Sequence, residues 1–428
     1  MQSRDRPFLL TMPEYGGTLA AARCLGEHGI SVTMAGDTWL APARWSRHVS
    51  RWVKCPPLEQ MERFLDWLLE FGRTEPGHVL YPTCDDLAWL IADRADELGK
   101  YYQLYQPSAQ AILRLLDKKS LHEACGEVGI DRLPTAFPRN REEALHAADE
   151  VGYPILLKPR TQVLYATHSK GRFVERPEAM AFNYTDYVAG NRYHPSLAAL
   201  LPDVRSPMLQ AYRPQAATGI YSLSGFVGKK GQGIAARASL KILQRPRGFG
   251  VGLCFEETPV DASVLARVLR LCELVGYFGV FEAEFVRDGS RLQLIDFNPR
   301  FYGQMAFEIA RDLPLAYLVW LGALGEEEAL AQELATACQW REGRGYAYCH
   351  RFFLEMTLSL QRLSRRMPKA EAERWRSWTR THAEQALLVD AAECQDDPLP
   401  GRVAAFKEIY RAGRHLRSFV RSTVLDSM

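Results

Sequence analysis

Long apolar runs are missing from this chain: no stretch approaches the roughly 18 consecutive apolar residues that a bilayer-spanning helix needs. The opening MQSRDRPFLL has no apolar h-region and no small-residue cleavage site, so no secretory leader is expected. A disulfide framework is missing as well. The nine cysteines (Cys24, Cys55, Cys84, Cys125, Cys254, Cys272, Cys338, Cys349 and Cys394) include no CxxC pair, and so odd and dispersed a set implies reduced thiols in a cytoplasm. The ten histidines form no HExxH, which leaves zinc catalysis without support, and no GxSxG surrounds a serine. Charge of one sign is also lacking. With 53 Lys and Arg against 51 Asp and Glu, the net charge of +2 gives no reason to expect nucleic acid as a partner.

What is present is an ordinary globular composition, 47% hydrophobic and 24% charged over 428 residues, enough for two or three domains. Residues 8–36 read strand, glycine turn (Tyr15-Gly16-Gly17), helix, strand, the opening unit of an α/β sheet. Helical spacing over 58–71, a strand over 78–86 that ends in acids, and helices near 87–98 and 110–116 complete a Rossmann-like first domain, 1–115. A second domain spans 116–325, divided into lobes 116–213 and 214–325. It opens with a helix from Asp117-Lys118 and continues through TAFPRNREEALHAADEVGYPILLKPR, in which a buried strand ends at Lys158. MLQAY (208–212) reads as a strand, 221–240 as a hairpin around a glycine turn, and 261–276 as a helix. Residues 326–428 read as mostly helical and rich in Arg and Trp.

The most informative stretch is GVFEAEFVRDGSRLQLIDFNPR, 279–300, two apolar strands around Asp288-Gly289-Ser290. Period-two alternation puts Glu282 and Glu284 on one face of the first arm, and Asp296 and Asn298 on one face of the second. A loop of three or five residues centred on Ser290 sets Glu284 opposite Asp296 and Glu282 opposite Asn298. Opposed carboxylates repel, so something positive is expected between them, and hard oxygen ligands suit Mg²⁺. Lys158, at the edge of the apolar run Tyr153–Leu157, also calls for an anionic partner.

Taken in order, Asp117-Lys118, LLKPR (156–160) and EF…LIDFNPR resemble the ATP-grasp superfamily. RCLGEHGISV, WSRHV and YPTCDDLAWL are similar to its predicted ATP-dependent carboligases, a branch close to carboxylate–amine ligases such as D-aspartate ligase. The resemblance covers about residues 8–325 and implies an α/β and α+β fold with ATP between two small antiparallel lobes. It implies that Lys118 and Lys158 contact nucleotide phosphates and that the backbone of Gln210, Ala211, Tyr212 and Arg213 meets the adenine edge. Glu284, Asp296 and Asn298 match ligands of Mg²⁺, with Mn²⁺ as a substitute, and Arg300 matches the arginine facing the reactive phosphoryl group. Asp296 stands where the family usually has Glu. The loop after Lys158, RTQVLYATHSKG, lacks the family's glycines, so Lys170 is expected to replace some phosphate contacts, and Gly219-Ile220-Tyr221 stands where an acidic ribose contact is usual.

The implied activity is amide formation between a small carboxylate and an amine, amino acids or a cell-envelope precursor among them, with Lys241 and Arg245 as a second cationic patch for the carboxylate. An ATP-dependent carboxylase and a nucleotide-binding regulator without turnover are the alternatives. A homodimer is compatible with either. The Tyr15-Gly16-Gly17 turn, with Asp37 some twenty residues on, is only part of a dinucleotide fingerprint, since GxGxxG is absent. GFVGKKGQG (225–233) lacks P-loop spacing and reads as a hairpin turn. In 401–428 the cations Arg402, Lys407, Arg411, Arg414, Arg417 and Arg421 recur at helical steps. Packing on the catalytic body is favoured there over attachment to an anionic membrane.

Overall fold

The computed structural model describes residues 6–414, apart from 167–170, 218, 230–231, 246–249, 342, 344, 366 and 386. The first sheet contains β1 (Phe8–Leu10), β2 (Val32–Gly36), β3 (Arg51–Lys54), β4 (Val79–Leu80) and β5 (Gln103–Leu104), all parallel, in the order β3-β2-β1-β4-β5. Every residue of β1 and β2 is buried, as expected of parallel strands covered on both faces. The strand order reverses between β1 and β4, which opens a crevice beyond their C-terminal ends.

The second sheet is antiparallel: β6 (Thr135–Ala136), β7 (Ile155–Lys158), β8 (Arg172–Val174) and β9 (Met208–Ala211), ordered β6-β9-β7-β8. Ile155, Leu157 and Leu209 pack under the helices Arg141–Val151 and Pro177–Gly190. Alternation therefore sends Leu156, Lys158, Met208 and Gln210 to the opposite face.

The third sheet runs β14-β13-β10-β11-β12-β15-β16, with β10 (Ile220–Val227), β11 (Ile234–Arg245), β12 (Val251–Thr258), β13 (Gly279–Asp288), β14 (Arg291–Asn298), β15 (Gly345–Tyr348) and β16 (Leu387–Asp390). Residues 228–233 simply connect the antiparallel β10 and β11. The C-terminal segment is helical at Arg351–Leu363, Lys369–Gln385 and Leu399–Arg414, but it also supplies β15 and β16. β15 pairs along β12, whose edge would otherwise present unpaired backbone groups, and β16 adds to β15 in parallel. Leu243 and Leu253 then share a core with Leu354, Leu358 and Trp375.

The two faces of this sheet differ sharply. Tyr221, Leu223, Ala238, Phe281, Ala283 and Phe285 form an apolar core under the helix Ala262–Val275. The other face carries Ser222, Ser224, Arg237, Ser239, Lys241 and Glu282, all buried. Buried polar groups are costly unless partnered, so this face is where chemistry is to be sought.

Candidate active site

The acidic hairpin turns on two residues, Gly289-Ser290, with Asp288 opposite Arg291 and Gly289 at φ +61°. This corrects the expectation of a loop of odd length. An even loop alone would put Glu284 and Asp296 out of register. A β-bulge restores it: Phe285 pairs Leu294 while Glu284 pairs Asp296, so Ile295 is the extra residue. Beyond the bulge Glu282 faces Asn298, and the carboxylates of Glu284 and Asp296 stand opposed.

Two lysines offset that repulsion. Lys118 pairs with Asp296, and Lys241, from β11, pairs with Glu284. Burial pushes the Asp296 carboxyl up, but Lys118 and Lys158 outweigh it and hold its pKa below the ordinary aspartate value. The two lysines, forty residues apart in sequence, thus converge on one carboxylate. Burial lowers the Lys158 pKa; Asp296 opposes that shift, and Lys118 adds to it. Lys158 also donates to Gln210 Oε1 at 3.4 Å. Burial acts against the Lys241 ammonium too, yet Glu284 and Glu282 raise its pKa overall.

A buried ion pair fixes both phosphate-binding candidates. Asp117, fully buried, caps the helix Lys118–Glu127 through Ser120 N and accepts from Arg160 Nε at 2.9 Å and Nη2 at 2.7 Å. Lys118 N donates to Arg160 O at 2.8 Å. Arg160 follows Lys158 by two residues, so the clamp sets the start of the helix against the end of β7.

Arg300 is held from three sides. It pairs with Asp85, its Nη1 donates to Phe301 O at 3.0 Å, and its Nη2 donates to Asn298 Oδ1 at 2.9 Å. Burial works against its charge, but Asp85 prevails and raises its pKa. Asn298 Nδ2 in turn donates to Glu282 Oε2 at 2.9 Å, so its amide bridges Glu282 and Arg300. Glu282 accepts from Ser222 Oγ at 3.1 Å, and Ser222 accepts from Gln304 Nε2 at 2.9 Å. Burial first, then repulsion from Glu284, pushes the Glu282 pKa up to about 8.

The loop after β14 fills the crevice of the first sheet. Phe301 N donates to Pro82 O at 3.1 Å, and Val280 N to Tyr81 Oη at 2.8 Å. A Cβ on Gly17 would lie 2.5 Å from Tyr302 O, and one on Gly16 would lie 3.0 Å from Gly303 O. These glycines admit another loop of the same chain, which accounts for the turn without a dinucleotide. Gly17→Ala is expected to cost about 1–3 kcal/mol, more than Gly16→Ala. Equal urea midpoints for wild type and Gly17→Ala would contradict the close approach.

No protein-family model and no curated protein matches the sequence. Solved structures do match. The biotin carboxylase domain of 2-oxoglutarate carboxylase from Hydrogenobacter thermophilus is 20% identical, with TM-score 0.58 over 74% of this chain and 69% of that one. N5-carboxyaminoimidazole ribonucleotide synthetase from Thermus thermophilus is 19% identical, with TM-score 0.54 over 74% and 78%. N5-carboxyaminoimidazole synthetase from Staphylococcus aureus, complexed with ADP, is 15% identical, with TM-score 0.56 over 74% and 77%. All are ATP-grasp enzymes. The chain has the ATP-grasp fold.

On this ATP-grasp scaffold Lys118 meets Asp296, Lys241 meets Glu284 and Arg300 meets Asn298 on the acidic hairpin, while Lys158, bonded to Gln210, feels the charge of Asp296 and Glu284. Lys241 lies within the acidic cluster, paired with Glu284. The side chain of Arg245 and all of Lys170 lie outside the described residues. The backbone N–H groups of Ala211 and Tyr212 are donated to Pro134 O and Pro154 O, both at 2.9 Å, so the sheet already uses them. Arg213 sits beyond the strand with Nε 3.7 Å from Asp288 at the hairpin tip. Asp85, Asp117, Arg160, Ser222 and Gln304 were not expected as site residues. The available signals were the adjacent acids Asp85-Asp86, which open the helix Asp85–Asp93 and do not close a strand, and the Asp-Lys-Lys-Ser pattern of a helix cap.

Among the described residues no group of three or more His, Cys, Asp and Glu is arranged to hold a metal alone. Glu284 and Asp296 nevertheless fit Mg²⁺, which is commonly held by one or two carboxylates together with substrate phosphates. Asn298 would be the weaker ligand, since both ends of its amide already have protein partners.

Proposed function

We propose that this protein is an ATP-dependent ligase that joins a carboxylate to an amine through an acyl phosphate, releasing ADP and phosphate. The observation that carries this reading is the convergence of Lys118 and Lys158 on a carboxylate pair, with Arg300 bound to the same strand end. A carboxylate is a poor electrophile. Attack of its oxygen on the γ-phosphorus, with cleavage of the bond to ADP, gives it a phosphate leaving group. Attack by the amine nitrogen then forms the amide, and phosphate and a proton depart.

Lys118 and Lys158 would exchange Asp296 for nucleotide phosphates. Arg300 would face the transferred group, its guanidinium oriented by Asp85 and Asn298. Held by Glu284 and Asp296, Mg²⁺ would neutralise charge on the phosphate oxygens. Lys241, freed from Glu284, would meet the carboxylate. A carboxylase differs only in taking bicarbonate as the carboxylate, and one of the similar solved structures is a complex with MgADP and bicarbonate.

Lys158→Ala tests the nucleotide assignment. Loss of one charge-assisted phosphate contact is worth about 1.5–3 kcal/mol, or roughly 10- to 100-fold in affinity. Calorimetry with a non-hydrolysable ATP analogue reads it directly, and unchanged affinity would remove Lys158 from the site. ADP release with Mg²⁺ and pooled amino acids or small carboxylates separates a ligase from a regulator, which would bind nucleotide and release none.

A further inference from the structure

The helix Leu399–Arg414 packs one side on the turn Pro42–Trp45 and anchors Lys407 to Glu14. Its outer side is different. Phe406, Ile409 and Tyr410 stand 53%, 55% and 45% exposed, and the rings of Phe406 and Tyr410 stack at 6.5 Å. Trp39 and Trp45, in the segment the helix packs against, are 60% and 36% exposed. Six of the fifteen exposed large apolar side chains among the described residues fall in 39–45 and 399–410, a concentration that scattered surface apolar residues do not explain. Arg402, Arg411 and Arg414 are exposed along the same helix, with Arg414 Nη1 donating to Tyr410 Oη at 2.8 Å. Its single acid, Glu408, lies 3.4 Å from Arg411.

We propose that this face docks on an anionic membrane surface. Aromatic and aliphatic side chains between arginines match the boundary between headgroups and acyl chains, where Trp and Tyr are favoured and cations meet anionic lipid. Charge selects this occupant over the others. A second copy laid on the same face would bring the cations Arg402 and Arg414 of the two copies together. The chain's own residues 415–428 add Arg417 and Arg421 against one acid, Asp426, and so repeat the same sign. The docked helix would lie beside the loop of Glu14 to Gly17, which abuts the loop carrying Arg300.

The test is sedimentation of the full chain with vesicles of phosphatidylcholine alone, or with about 30% phosphatidylserine, at about 0.1 M salt. Wild type is expected to sediment with the anionic vesicles only. Phe406→Ser with Ile409→Ser, and separately Arg411→Glu with Arg414→Glu, should each lower the bound fraction about fivefold or more, with circular dichroism unchanged. No binding by wild type, or binding that both double variants retain, would overturn the proposal. A dimer in light scattering that Phe406→Ser with Ile409→Ser abolishes would assign the face to a second copy instead.

Discussion

Asp296→Asn is expected to lower Mg²⁺-dependent ADP release by about 10²-fold or more, through loss of a charged group that holds the metal against the reacting phosphates. The variant keeps the shape of the side chain and removes little packing, so the fold should survive. Binding gives a second signature. In the wild type Asp296 pairs with Lys118 and lies in the field of Lys158, so on the proposed reading it would compete with phosphate for both. Asparagine ends that competition, so metal-free nucleotide should bind at least as tightly as before, while the gain from adding Mg²⁺ should shrink. Titration with a non-hydrolysable analogue, with and without Mg²⁺, reads both effects. A variant whose Mg²⁺ dependence equals that of wild type would take Asp296 out of the metal site, whatever its turnover.

The largest stability loss is expected from Asp117→Ala. The Asp117 and Arg160 side chains are 0% and 8% exposed, so truncation leaves a guanidinium buried without its anion. Breaking such a pair costs about 3–5 kcal/mol, and the helix cap at Ser120 goes with it. Denaturant unfolding should show the loss, and Asp117→Ala combined with Arg160→Leu should recover part of it by removing the orphaned charge. A loss under about 1 kcal/mol in the single variant would mean that water reaches Arg160 and that the clamp is weak. Nucleotide affinity should fall together with stability, because the clamp sets Lys118 and Lys158 relative to each other.

Much of the fold could be read from the chain because local patterns and tertiary demands agree. The period-two runs at 279–298, the buried strand ending at Lys158 and the helix spacing over 262–275 all appear as elements. What stayed hidden depends on residues distant in sequence. Asp85 gains meaning only when the loop after β14 enters the crevice of the first sheet, 215 residues later. β15 and β16 were obscured by the helices around them, and their reason lies in the open edge of β12. The opposition of Glu284 and Asp296 was expected for the wrong local reason, because a bulge leaves no signature in alternation until the turn length is known.

That bulge has an engineering consequence. Ile295 works as a phase shifter between the hairpin tip and the reactive end. Deleting it would leave an unbroken ladder in which Asp296, now following Leu294 directly, still faces Glu284, so the acidic pair is expected to survive the deletion. An insertion of two residues at Gly289-Ser290 would keep the parity on both arms. The exposed tip is therefore a place to graft an epitope or a fluorophore, provided the graft is even in length.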